Sequence, residues 1–259
     1  MAIPPVGAHI WGKDPLAEAE EIGAERVQLF LSNPQGWEKP PPRDDAAEIK
    51  SSGLGVYVHA PYLINVCSPK PNVRFGSRKI LAQTCEAAAE VGALAVIVHP
   101  GHAEDGLEEG VARWTSTLER LESEVPVYLE NTAGGENAVA RRFDALARLW
   151  EAVEAAKTSN EVGFCFDTCH AHAAGEDLSD AVERAIEITG GIDLMHVNDS
   201  RDPAGTGADR HATIGEGQME LDDLRHMIAV ANAPSVVETP RELETLKADM
   251  EFVREALGA

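Results

Sequence analysis

Short apolar runs alternate with longer alanine-rich, acid-faced stretches along the whole chain, and the alternation repeats eight times. Runs such as AVIVHP and GFCFD stay apolar without alternating, as expected of strands covered on both faces. Strands are predicted at Val6–Ile10, Arg26–Phe30, Val56–His59, Ala95–His99, Val127–Glu130, Val162–Asp167, Asp193–Asn198 and Ser235–Glu238. Helical periodicity follows each of them, at Leu16–Ile22, Asp44–Ser51, Ser77–Val91, Leu107–Ser123, Val139–Thr158, Leu178–Thr189, Leu221–Asn232 and Arg241–Ala256. The last helix carries a start signal, with Thr239 as N-cap, Pro240 in the first helical position and Glu242 three residues after the cap. Eight strand–helix units in 259 residues predict an α/β fold, a single-domain TIM (β/α)8 barrel over residues 1–259.

Connections from helix to strand are short, as at Ser52–Gly55 and Gly92–Ala93. Three connections from strand to helix are long, Leu31–Arg43, Ala60–Gly76 and Asp199–Glu220. Long structureless loops are usually functional. These fall on the face where barrel enzymes keep their active sites.

That face also collects ligand-type side chains. His59, His99, Glu130, Asp167, His170, His196, Asp209, His211 and Glu238 stand at or just beyond predicted strand ends. One such coincidence means little; repeated along the chain, it predicts a metal site. Nine ligands exceed the roughly four that one zinc takes, so two or three ions are expected. Asp209 and His211 are two apart, so an extended segment would point both one way. A turn between Asp167 and His170 could send them to different ions, and the two oxygens of Glu130 could bridge a pair. His, Asp and Glu without Cys suit a catalytic site rather than a structural one. His9 reads as a hydrogen-bonding barrel residue beneath the metals, His102 and His172 as neighbours of ligands, and His226 as a solvated helix residue. Gly205 and Gly207 resemble a phosphate-cradling loop only weakly, since no helix follows at once.

Charge changes the picture of the surroundings. There are 44 acidic against 22 basic residues, a formal net charge of −22, and fifteen of the basic residues are Arg. Such self-repulsion should destabilise the chain at low salt. Molar salt, with a Debye length of about 3 Å, would remove most of it. A halophilic cytoplasm is therefore expected. Cys67, Cys85, Cys165 and Cys169 form no CxxC pair and read as reduced, partly buried thiols, with a minor role near the metals left open for Cys165 and Cys169, which flank Asp167. Neither a signal peptide nor a membrane-spanning run is legible, so the expected location is cytoplasmic.

HAPYLIN, HPG, ENTAG, FDTCHAHAAGEDL, HVNDS, DRHATIGEG and ETP resemble the signatures of endonuclease IV, the zinc-dependent apurinic/apyrimidinic endonuclease. The resemblance runs over almost the whole barrel. It implies three zinc ions per chain: one on His59, His99 and Glu130, a second on the bridging Glu130 with Asp167, His196 and Glu238, and a third on His170, Asp209 and His211. Manganese is an alternative at one position. The implied activity is hydrolysis of the phosphodiester 5′ to an abasic site in duplex DNA, leaving a 3′-hydroxyl and a 5′-deoxyribose phosphate, with trimming of blocked 3′ ends. Glu130, Glu238, His59 and His99 would be the catalytic ligands. The loop after strand two, SNPQGWEKPPPR, would enter the minor groove at the lesion, with Trp37 matching and Gln35 standing where a basic residue is expected. Tyr62 and Leu63 would fill the abasic gap, and Lys70, Arg74, Arg78, Arg201 and Arg210 would meet phosphates. No protein partner is implied, and a monomer is expected.

Two other classes are open to the residues. Glu130, Asp167, His196 and Glu238 alone would make the one-His, three-carboxylate site of a manganese- or magnesium-dependent sugar isomerase or epimerase. The further histidines and Asp209 weigh against it. A non-catalytic metal or damaged-DNA binder is the third class, and the intact ligand set weighs against that.

Overall fold

All eight predicted apolar runs form strands. The computed structural model describes residues 3–11, 14–240 and 242–259. The strands are β1 (Val6–His9), β2 (Arg26–Leu29), β3 (Gly55–His59), β4 (Ala95–Val98), β5 (Val127–Glu130), β6 (Val162–Asp167), β7 (Leu194–Val197) and β10 (Ser235–Val237). Their order, β1-β10-β7-β6-β5-β4-β3-β2, closes into a barrel. A separate two-stranded antiparallel sheet joins β8 (Asp199–Ser200) to β9 (His211–Ala212), with Ser200 opposite His211. Every residue of β1, β3, β4, β7 and β10 is buried, which is why these runs carry no alternation.

The chain divides into two compact units. One comprises Met1–Gln28, Asn131–Gly134 and Phe164–Ala259. Its helices are α1 (Pro15–Ile22), α6 (Thr168–Ala174), α7 (Ala181–Thr189), α8 (Leu221–Ala231) and α9 (Leu243–Ala256). β1 and β2 approach so closely here that a side chain at Gly7 would lie 1.7 Å from the Arg26 carbonyl oxygen. That register sets His9 beside Gln28. The other unit comprises Leu29–Glu130 and Gly135–Gly163. It contains α2 (Ala46–Ser51), α3 (Pro71–Glu90), α4 (Leu107–Leu118) and α5 (Phe143–Ala155). Trp114, Leu118, Leu129 and Leu146 are among its fully buried side chains.

Several helix boundaries differ from expectation, each for a local reason. α3 starts at Pro71 rather than Ser77, because proline is tolerated at the first helical position, where no N–H is needed. The loop after β3 is shorter accordingly. α4 stops at Leu118 rather than Ser123, where Asn160 Nδ2 donates to the Leu118 and Leu121 carbonyls. α5 starts at Phe143 rather than Val139, since the Val139 amide is taken by Gly101 and Ala138 bridges His102. α7 starts at Ala181 rather than Leu178, after a turn in which Asp177 accepts from Ser179. The predicted cap at Thr239 is incorrect: its hydroxyl donates to Asp249 Oδ2, and α9 begins at Leu243 with Glu242 in the cap position. Arg241, the predicted first residue of that helix, lies outside the described residues. Helix α6 and the β8–β9 pair were not predicted. Among the described residues, no helix is long and apolar enough to cross a membrane.

Candidate metal centre

In the unit holding β3, β4 and β5, three strand ends deliver one donor set. His59 is the last residue of β3, His99 follows β4, and Glu130 ends β5. Their ligand atoms lie within 4.8 Å of one another. His59 Nε2 is 3.2 Å from Glu130 Oε2, and His99 Nε2 is 3.1 Å from the same oxygen. Glu130 is 1% exposed, so its charge is withdrawn from water and needs a positive partner.

The other unit holds three more sets, and one of them, Cys169, Asp209 and His211, brings in a thiol that the expected His, Asp and Glu donors did not include. Asp167, His196 and Glu238 offer atoms within 4.8 Å of one another, and so do Asp167, His170 and His211. His196 Nδ1 is 3.3 Å from Glu238 Oε2. Asp209 joins the second group, with Oδ2 3.2 Å from His170 Nε2 and Oδ1 3.1 Å from His211 Nε2. Asp167 closes β6 and caps α6, accepting from the His170 amide at 2.7 Å. A helix start, not the expected turn, therefore separates these two residues. Asp209 precedes β9 and His211 begins it, and both converge on His170 as the spacing of two implies.

The ring nitrogens show what the sets fit. A carbonyl oxygen only accepts, so a ring nitrogen bonded to one carries the hydrogen. His59 Nδ1 donates to the Ala60 carbonyl at 2.7 Å, His170 Nδ1 to the Asn131 carbonyl at 2.8 Å, and His211 Nδ1 to the Glu238 carbonyl at 3.2 Å. His196 Nε2 donates to Gln28 Oε1 at 2.8 Å. In each neutral ring the other nitrogen then turns a lone pair toward a carboxylate oxygen. His211 Nε2 is buried and makes no directed hydrogen bond, although Asp209 lies 3.1 Å away. Lone pairs facing carboxylates at this range call for a cation, and anchoring the second nitrogen is how metal-binding histidines are oriented. The residues present therefore fit metal ions.

The same field shifts the titrating groups. Burial opposes a charge on His211, but Asp209, Asp167 and Glu238 outweigh it and raise its pKa to about 9. Burial pushes Glu238 up, but His196, His9 and His211 hold it well below the usual carboxylate range. A proton on His211 thus occupies the electrostatic role of a cation.

Five residues that were not singled out build the support. Gln28, fully buried in β2, donates to Glu238 Oε1 at 2.6 Å while accepting from His196. Asn198 donates to Asp167 Oδ2 at 2.7 Å and accepts from the Glu238 amide at 2.8 Å. Asn131 exchanges bonds with the Asp167 backbone at 2.7 and 2.9 Å. Asp199, also fully buried, accepts from the amides of Ser200, Gly215, Gly217 and Met219 at 2.7–3.0 Å. A side chain at Gly217 would come within 2.3 Å of that carboxylate. Asp249 of α9 accepts from the Ile214 amide at 3.2 Å and the Thr239 hydroxyl at 2.5 Å. The signal for Gln28 was a polar residue inside an apolar strand. Asn131, Asn198 and Asp199 lie inside the motifs ENTAG and HVNDS.

His9 lies against Gln28 at 2.9 Å and Glu238 at 3.3 Å, as expected of a residue beneath the ligands. His172 bonds the Asp202 carbonyl at 2.9 Å, and His226 bonds Glu183 at 2.9 Å on α8. All four cysteines are buried, with unbridged thiols. The exposed side chains expected to meet nucleic acid fall in two places. Gln35, Trp37, Tyr62 and Leu63 are exposed on the loops after β2 and β3, which are tied by the Tyr62 amide on the Pro34 carbonyl. The Tyr62 ring lies 5.2 Å from His59 and 5.6 Å from His99. Arg74 is half-buried in α3 and donates to the Ser68 and Pro69 carbonyls. Arg201 bonds the His211 carbonyl, and Arg210 pairs with Asp202.

Fold and donor sets define the class first: residues 16–256 match the family described as xylose isomerase-like TIM barrel. Within it, the chain is 54% identical over 256 residues to "Probable endonuclease 4" of Mycobacterium tuberculosis (strain ATCC 25177 / H37Ra), covering 98% of this chain and 99% of that protein. It resembles the crystal structure of endonuclease IV from Thermus thermophilus with a TM-score of 0.81 and 27% identity, covering 98% and 99% of the two chains. A D-tagatose 3-epimerase-like protein, at 20% identity and a TM-score of 0.77 over 98% and 97%, shares the fold. The chain belongs to the endonuclease IV family. That family is metal-dependent, and the donor sets described above could hold metal ions.

Proposed function

We propose that this protein is a DNA-repair hydrolase that cuts the phosphodiester 5′ to abasic sites in duplex DNA and trims blocked 3′ ends. The observation that carries the reading is the set of anchored histidines, each with its second ring nitrogen 3.1–3.3 Å from a carboxylate oxygen. The 54% identity to proteins named endonuclease 4 supports the nuclease over a sugar isomerase. So do His59, His99, His170, Asp209 and His211, which lie beyond the four ligands such an isomerase needs.

Three zinc ions fit the donor sets best, with manganese the alternative at one position. His59, His99 and Glu130 would hold one; Glu130 again, with Asp167, His196 and Glu238, a second; His170, Asp209 and His211 the third. Bound metal supplies phosphate binding, activation of water at neutral pH and neutralisation of the leaving oxygen. Water adds to phosphorus as the bond to the 3′-oxygen breaks, giving a 3′-hydroxyl and a 5′-deoxyribose phosphate. Gln28 and Asn198 hold Glu238 and Asp167 in place through this change of charge. Tyr62 and Leu63 would fill the space left by the missing base, with Trp37 and Gln35 entering the minor groove. Arg74, Arg201 and Arg210 would meet phosphates, Arg210 exchanging Asp202 for one. The chain would act as a monomer and a single domain in the cytoplasm.

The test is incision of a duplex carrying one abasic site, beside an intact control, from roughly 0.1 to 3 M KCl. Lesion-dependent cutting that leaves a 3′-hydroxyl is expected. No cutting at any salt, with metals bound, would move the assignment to the isomerase.

A further inference from the structure

Helices α3 and α4 enclose a groove of about 810 Å3 whose lining includes Arg74, Phe75, Arg78, Glu109, Arg113 and Arg120. Four arginines in one groove stand out in a chain of net charge −22. Arg113 is neutralised by Asp105. Among the described residues, no carboxylate lies within ion-pair distance of the other three, although Asp105 also feels the charge of Arg74. Arg74 donates to the Ser68 and Pro69 carbonyls, Arg78 to the Thr117 hydroxyl and the Arg113 carbonyl, and Arg120 to the Ser116 hydroxyl. The Phe75 ring, 57% exposed, carries the Arg74 and Arg78 guanidiniums at 5.1 and 5.9 Å from its centre. Burial, and then the charges of Arg74 and Arg120, lower the pKa of Arg78. The cluster therefore sits under mutual repulsion that an anion would relieve.

Its place in the unit says which anion. α3 begins directly after the loop that carries Tyr62 and Leu63. Tyr62 packs beside His59 and His99. A side chain at Gly76 of α3 would meet the Trp37 ring at 3.4 Å. Exposed Tyr62, Leu63, Trp37 and Phe75 thus lead from the candidate ligands to the arginines. A chain this acidic repels a polyanion over most of its surface, so a polyanion is drawn to the patch where cations lack partners.

We propose that the α3–α4 groove holds the phosphate backbone of the duplex that flanks the incised site. This rests on the endonuclease reading and extends its DNA interface past the lesion. Guanidiniums held over an aromatic ring are ordered before the strand arrives, so less is lost on binding. Each phosphate neutralised releases counterions, so the groove's share of binding must fall steeply with salt.

The experiment compares a short abasic duplex with the same duplex lengthened on one side and then on the other, using the metal-loaded protein. Lengthening on one side should lower KM by roughly tenfold with kcat unchanged, the sign of binding that does not change through the reaction. Phe75→Ala and Arg120→Glu, each compared with its own short-duplex value, should lose that gain. Arg120→Glu should also reduce the slope of log KM against log salt by about 1. A gain that survives both substitutions, or no gain on either side, overturns the proposal. So does a glutamate-rich peptide that binds the wild type but not Arg120→Glu while duplex length has no effect. Absence of incision on every duplex would instead count against the endonuclease reading. The groove is then read from fluorescence anisotropy of the intact lengthened duplex: affinity that Arg120→Glu abolishes supports it, and affinity that ignores the substitution overturns it.

Discussion

His59, His99 and Glu130 rise from or just beyond the ends of three neighbouring barrel strands, whereas His211 begins a strand of a two-stranded sheet on a long connection and Asp209 lies just before it. The first set takes its position from the barrel ladder, in which His59 pairs with Ile97. The second has two paired residues on each strand, far too little to fix a ligand by itself. It relies instead on Asp199, a buried carboxylate that gathers four amides of the connection. Asp249 pins the Ile214 amide just beyond. Ligands on strands are placed by the fold; ligands on a connection need a purpose-built internal anchor.

The largest expected effect breaks the strand-borne set. Glu130→Gln removes the carboxylate charge and replaces one of its two oxygens with a donor, and should cut abasic-site incision by roughly 10^3-fold, the size of several kcal/mol of transition-state stabilisation. Single-turnover incision rates check this; a near wild-type rate would remove Glu130 from the centre. Next comes the anchor of the other set. Asp199→Ala leaves four amides without an acceptor, a cost on the order of 3 kcal/mol, or about two orders of magnitude in the affinity of the Asp209–His211 site for metal. Metal content per chain should fall in part, with amides of 211–219 losing protection from hydrogen exchange. Unchanged protection would show that the connection holds itself.

Gln28→Leu sharpens the comparison further. It removes the partner of His196 and Glu238 without touching a ligand, and outer partners of this kind are worth about 10–100-fold in activity or metal affinity. Titration with zinc should show weakened binding at that set while the His59 set is unaffected; equal weakening at both would contradict the assignment. The smallest effect is spread over the whole surface. If the acidic excess is an adaptation to salt, melting in about 2 M rather than 0.1 M KCl should raise Tm by roughly 5–10 °C, a few kcal/mol for a chain of this size. Equal Tm in both would refute the halophile expectation.

Strand existence was legible almost to the residue, because most runs are apolar and several end at a polar side chain. The strand-end positions of the candidate ligands His59, Glu130 and Asp167 were legible for the same reason. Helix ends were less so. Thr239, Pro240 and Glu242 spell a start signal, yet the Thr239 hydroxyl goes to Asp249, ten residues on, and the helix waits until Leu243. Helix α6 escaped because TCHAHAA is only about two turns of small and ligand-type residues, with no apolar stripe.

The amino-acid pattern by itself determined that this chain makes eight strand–helix units and which histidines and carboxylates crowd the strand ends, since burial on both faces and ligand chemistry are properties of the residues. Which ring nitrogen of each histidine faces a carboxylate was decided only by tertiary structure. The choice depends on acceptors far away in the chain: the Gln28 amide oxygen beneath His196, and the Asn131 carbonyl beside His170. Likewise, arginines of ordinary appearance became a cationic groove only when the fold brought Arg113 and Arg120 beside Arg74 and Arg78, which flank the Phe75 ring. Charge and hydrogen bonding act through space, and distance along the chain does not report distance through the fold.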